Sequence, residues 1–139
     1  MDTNLSDDAV RDTLRRARRV AIVGLSDRPD RPSYRVAAYL LAVGYEIVPV
    51  NPMVASVLGV ASAPSIARID GPVDIVDVFR RTEETDAVID ESIASGAGTL
   101  WLQLGIVNEP GGIRARAAGL AFVQDRCLAV EHARLIGAT

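Results

Sequence analysis

The stretch RVAIVGLSDRPDRPSY, residues 19–34, decides how the whole chain is read. Its first half is a continuous apolar run that ends in a glycine. Its second half is a charged, proline-bearing loop that leads into apolar residues at helical spacing. Strands buried inside a parallel sheet read as continuous runs rather than as alternations. Four further runs follow: EIVPV from Glu46, VDIVDVF from Val73, TLWLQL from Thr99 and LAFVQ from Leu120, at spacings of 27, 27, 26 and 21 residues. Each interval has room for one strand, one helix and two short loops, the length of a β–α–β step.

The segments between the runs carry helix signals. Val36, Leu40 and Val43, joined by Ala37 and Leu41, form one apolar face, and Gly44 stands where a left-handed residue closes a helix. Thr82 is placed to cap a second helix with Glu83 and Glu84 in its first turn and Val88, Ile89 and Ile93 on one side, ending at Gly96. Asn108 is placed to cap a third, with Pro110 in its first turn and Gly119 after its last. Ser6, Asp7 and Asp8 open an additional N-terminal helix to about Ala17, with Val10 and Leu14 inward. Residues 53–69 are rich in small side chains and predict a loop with a short helix near residues 65–68. Right-handed crossovers turn this order into an α/β fold. It is a Rossmann-like, doubly wound five-stranded parallel sheet in three α/β/α layers, expected in the order 3-2-1-4-5, with the flavodoxin-like order 2-1-3-4-5 as competitor.

A chain of 139 residues with 49% apolar and 24% charged residues is one globular domain, expected to span 1–139 with residues 1–18 as a helix packed on it. Fifteen basic against eighteen acidic groups give a net charge of −3, which argues against nucleic-acid and membrane-surface binding. All the basic residues are Arg, so P-loop, Schiff-base and general-base lysines are excluded. One Cys and one His leave no internal disulfide and no multi-histidine metal site. The polar start has no signal-peptide character and no run is long enough to span a bilayer, so a soluble, cytoplasmic protein is expected.

In either strand order, ligands bind beyond the carboxyl ends of the strands, where the order reverses. After the first run, Gly24 permits a tight turn, Ser26 offers a hydroxyl, and Arg28, Arg31 and Arg35 surround a helix start near Ser33. Helix N–H groups with guanidiniums make an anion site. At about 1.5–3 kcal/mol per charge-assisted hydrogen bond, two or three contacts approach the roughly −8 kcal/mol of micromolar binding. A dinucleotide fingerprint is absent: Gly24 lacks its two partner glycines, and Val50-Asn51-Pro52 supplies no carboxylate for a ribose. Phe79-Arg80-Arg81 and Gln103-Leu104-Gly105 follow the third and fourth runs, and Trp101 reads as core. After the fifth, Cys127 stands near the start of a closing helix. His132 is about 140° around that helix from it, so the two share no face.

Together the blocks RVAIVGLSDRPDRPSYRVAAYL, GYEIVPVNP, VDIVDVFRR, LWLQLGIVNE and DRCLAVEH resemble the small stand-alone CoA-binding proteins. These are relatives of the N-terminal CoA-binding domain of the succinyl-CoA synthetase α subunit and of ADP-forming acyl-CoA synthetases. The resemblance covers about residues 12–136. It implies CoA or acyl-CoA as ligand, with its phosphates cradled by Gly24, Leu25 and Ser26 and by Arg35 in the following helix. It further implies a nucleotide end lined by Asn51 and Pro52 and by Val78, Phe79 and Arg80, and a pantetheine side at Gln103, Leu104 and Gly105. The ligases carry a longer glycine-rich first loop and a lysine after the second strand. Here Arg28, Arg31 and Arg35 are the candidate substitutes. Their phosphorylated histidine lies in a second domain, whereas His132 stands in a C-terminal helix. The resemblance therefore implies binding more than catalysis: a carrier, a sensor or a regulator of a partner enzyme. Two alternatives remain open, a small enzyme using Cys127 against the CoA thiol and a nucleotide-free interaction module.

Overall fold

The computed structural model describes residues 4–137; the first three residues of the polar start and the last two of the chain lie outside this range. Helix α1 (Asp7–Arg16) opens with the Ser6 hydroxyl accepting the Ala9 N–H, with Asp7 and Asp8 at its positive end and Arg15 and Arg16 at its negative end. Strand β1 (Arg19–Val23), helix α2 (Pro32–Ala42) and strand β2 (Glu46–Val50) follow. A two-stranded hairpin, β3 (Ser56–Val57) and β4 (Val60–Ala61), then precedes a 3-10 turn at Ile66–Arg68. Beyond it come β5 (Ile75–Val78), α3 (Thr85–Ser95), β6 (Thr99–Leu102), α4 (Glu109–Ala117), β7 (Ala121–Val123) and α5 (Leu128–Leu135).

The main sheet is five-stranded and wholly parallel, in the order β2-β1-β5-β6-β7. In terms of the five sequence runs this is 2-1-3-4-5, so the expected order 3-2-1-4-5 is corrected to its competitor. The reason lies at the outer edge of β2. Ala63 N–H donates to the Pro49 carbonyl at 2.8 Å, and its own carbonyl accepts the Asn51 N–H at 3.0 Å, which makes a single parallel bridge at Val50. That edge is filled by a strand one residue long, too short to leave a sequence signal. The chain then returns to the other side of β1. There the Asp74 carboxylate accepts the N–H groups of Arg18 and Arg19 at 2.9 and 3.0 Å and sets the entry to β5.

Two local expectations also change. Residues 53–69 contain the β3–β4 hairpin as well as the short 3-10 turn. Its turn places Leu58 at φ 53° and Gly59 at φ 78°, and leucine in the left-handed region gives no turn signal. Thr82 does not cap α3. It starts a 3-10 turn whose carbonyl accepts the Thr85 hydroxyl at 2.7 Å, and the helix begins at Thr85. Asn108 caps α4 as read, its side chain accepting the Gly111 N–H at 2.8 Å.

Both faces of the sheet are covered. Val10 and Leu14 of α1, Val36 and Leu40 of α2 and Leu128 of α5 pack against Ile22, Ile75 and Trp101. Val88 and Ile89 of α3 and Ala115 of α4 cover Val76, Leu100 and Phe122 on the other face. Each fully buried Leu or Ile contributes about 1.5–3 kcal/mol. Trp101 is core as read, and its indole N–H donates to the Arg126 carbonyl at 2.9 Å. Among the described residues, no helix is long and apolar enough to cross a membrane.

Candidate functional site

Because all five strands are parallel, the loops that follow them gather at one end of the sheet, and the order reverses between β1 and β5. Gly24 sits at this point with φ +82°. A Cβ there would stand 2.4 Å from the Phe79 carbonyl oxygen. The position therefore requires glycine because of its own neighbouring strand end, before any ligand is considered. Its N–H donates to the Val50 carbonyl at 2.9 Å, so it is committed to the fold and is not a free phosphate donor. The Arg80 Nε lies 3.4 Å from the same Cβ position, which sets that guanidinium over the glycine turn.

The loop after β1 is tied down by its own side chains. Ser26 N–H donates to the Ser33 hydroxyl at 3.1 Å, and the Ser26 hydroxyl accepts the Arg28 N–H at 3.1 Å. Asn51 bridges two strand ends: its amide donates to the Leu25 carbonyl at 3.0 Å, and its carbonyl oxygen accepts the Met53 N–H at 2.9 Å. Helix α2 starts with Pro32, which has no N–H, and the first-turn amides of Ser33 and Tyr34 follow it. Among the described residues, Arg31, Arg35 and Arg80 form no ion pair, whereas Arg28 reaches Asp30 at 3.6 Å and Arg81 reaches Glu84 at 3.1 Å. Unpaired guanidiniums beside free helix amides are suited to a polyanion.

A recess of about 440 Å³ opens between the loops after β5 and β6. Phe79, Arg80, Leu104 and Gly105 line it, together with Thr82, which the sequence suggested only as a helix cap, and Ile106, which it did not single out. Leu104 is largely exposed, and Gly105 N–H donates to the Asp125 carboxylate at 2.7 Å. Leu25 and Val78 place their side chains in the two cores, so only their backbone can reach a ligand. Gln103 is buried, with its side-chain oxygen accepting the Leu128 N–H at 3.0 Å at the start of α5. Cys127 is the residue before that helix and half-buried. Pro52 is exposed at the rim.

One residue near this end escaped the sequence reading. Asp77 stands mid-strand in β5, flanked by Ile22 and Trp101, fully buried, with neither carboxylate oxygen hydrogen-bonded. Burial alone pushes its carboxyl well above the usual range. Its only signal is the second of the two acids in the run VDIVDVF, the one with apolar residues on both sides within the strand. Among the described residues, no group of His, Cys, Asp and Glu is arranged to hold a metal ion.

A family model described as a CoA binding domain matches residues 18–133. An uncharacterized protein of Bacillus subtilis (strain 168), YneT, is 43% identical over 94% of this chain and 96% of its own length. A hypothetical protein from Pyrococcus horikoshii OT3 superposes with a TM-score of 0.92 at 37% identity, over 96% of this chain and 94% of that one. A Thermus thermophilus protein does so with a TM-score of 0.91 at 36% identity, over 95% of this chain and all of that one, 100%.

Proposed function

The chain belongs to the CoA binding domain family, and from that premise we propose that it binds CoA or an acyl-CoA at the carboxyl ends of β1, β2, β5 and β6, as a carrier, sensor or regulator rather than a catalyst. The observation that carries the reading is that Arg80 lies over the glycine turn where the strand order reverses and that, among the described residues, Arg80, Arg31 before α2 and Arg35 in its first turn form no ion pair. In this reading the CoA phosphates meet those guanidiniums, the Ser26 hydroxyl and the first-turn amides of α2. The nucleotide lies toward Asn51, Pro52 and the backbone of residues 78–80. The pantetheine arm runs toward Gln103, Leu104 and Gly105, with Arg28 at the outer rim.

Isothermal calorimetry with CoA, NAD and ATP tests this. CoA is expected to bind tighter than either nucleotide. Arg80→Ala and Arg35→Ala, each removing a charge-assisted contact of about 1.5–3 kcal/mol, are expected to weaken CoA by about ten-fold or more. Binding of NAD in preference to CoA, or CoA binding indifferent to both substitutions, refutes it.

A further inference from the structure

We propose that the opposite end of the sheet holds a second ligand site, for a small organic carboxylate with a short aliphatic body. A cavity of about 560 Å³, open to solvent, lies where α1 ends, β2 begins and α5 ends. Arg18, the residue before β1, and Glu46, the first residue of β2, line it, so this cavity is at the other end of the strands from the glycine turn.

The side-chain groups left open in this cavity are two guanidiniums and an imidazole nitrogen. Arg15 and Arg18 line it, and among the described residues neither guanidinium has a partner. Glu46, the acidic residue at the wall, is already engaged by Arg19 Nε at 2.7 Å. Tyr45 donates its hydroxyl to the Leu14 carbonyl at 2.5 Å and contributes only its ring. His132 is 4% exposed, and its Nδ1 lies 2.8 Å from the Tyr39 hydroxyl. In the proposed site that hydroxyl donates to Nδ1, the tautomer that leaves the imidazole hydrogen on Nε2. Nε2 has no protein partner among the described residues, and burial lowers the imidazole pKa and keeps the ring neutral. The rings of Tyr39 and Tyr45, edge-on at 5.5 and 5.6 Å, fix the imidazole in place.

Two guanidiniums and one imidazole nitrogen line this space, and the carboxylate at its wall, Glu46, is paired with Arg19. Guanidinium forks match the two oxygens of a carboxylate. The floor formed by Leu14, Ile136 and the Tyr45 ring favours an attached alkyl group over a fully hydrated inorganic oxyanion.

The test titrates the full chain with isobutyrate, isobutyramide and inorganic phosphate, followed by calorimetry and by the nitrogen and proton resonances of the His132 ring. Isobutyrate is expected to bind saturably and shift the Nε2–H signal, with isobutyramide and phosphate each at least about ten-fold weaker. Arg15→Gln and Arg18→Gln are each expected to weaken isobutyrate by about ten-fold or more while CoA affinity stays unchanged. No saturable shift, equal binding of acid and amide, tighter binding of phosphate, or glutamine variants that bind like the parent would each overturn the proposal. Loss of CoA binding in the parent protein would refute the reading of the other end and leave this result intact.

Discussion

Replacing Asp77 with asparagine is expected to remove a pH dependence from the stability of this protein. The side chain is fully buried in a central strand, both oxygens lack partners, and burial raises its pKa well above the ordinary 3.8. Above that ordinary value the unfolded chain releases the proton while the folded chain keeps it. The folded state then binds one proton more than the unfolded state, and stability falls as pH rises toward the native value. The slope for one proton is about 1.4 kcal/mol per pH unit. For as long as the native carboxyl stays protonated above that ordinary value, the parent loses about 1.4 kcal/mol per pH unit that the variant keeps. With a urea m-value of about 2 kcal/mol/M, the unfolding midpoints of the two proteins should diverge by about 0.7 M per pH unit in that regime. Any fixed cost of burying the amide shifts the variant's curve without changing its slope. The other carboxylates, Asp7 with its pKa lowered by Arg134 among them, titrate alike in both proteins and cancel. Parallel pH profiles for parent and variant would show that Asp77 ionises normally or is solvated in the native state.

Two further substitutions test the geometry. Gly24→Ala puts a Cβ 2.4 Å from the Phe79 carbonyl in a left-handed residue, and should cost about 1–3 kcal/mol, read as a lowered thermal midpoint together with weakened CoA binding. An unchanged midpoint would mean that the β1 and β5 ends lie further apart than described. Asn108→Ala removes the cap on Gly111 and the amide contacts to Thr85 and Asp86 at 2.8 and 2.9 Å. It should cost about 1–2 kcal/mol in urea unfolding and leave CoA affinity unaltered. A loss below about 0.5 kcal/mol would deny that bridge between α3 and α4 its role.

The run at residues 19–23 and its four successors were enough to specify a parallel α/β sheet, because continuous β-branched and aliphatic runs at even spacing can be buried in few other ways. Local chemistry was legible too: Ser6 and Asn108 cap as their side chains predict, and Trp101 is core. The placement of Phe79, Arg80, Leu104 and Gly105 around one recess follows from the parallel direction, which sends every loop after a strand to the same end. Strand order was not legible. It depends on a one-residue bridge at Ala63, whose stabilisation comes from two backbone hydrogen bonds to a strand thirteen residues earlier and from no local pattern.

What the tertiary structure alone decided is which polar groups remain open once the fold is made. Gly24, read as part of a phosphate cradle, spends its N–H on Val50, and Gln103 spends its side-chain oxygen on α5, while among the described residues Arg31, Arg35 and Arg80 form no ion pair. His132 and Tyr39 are 93 residues apart, and only packing brings them to 2.8 Å beside Arg15 and Arg18. Residue type and spacing determine what a segment can form, since those are local energies. Hydrogen-bond partners across the chain, and the charges left without one, depend on distances that exist only after the sheet has closed.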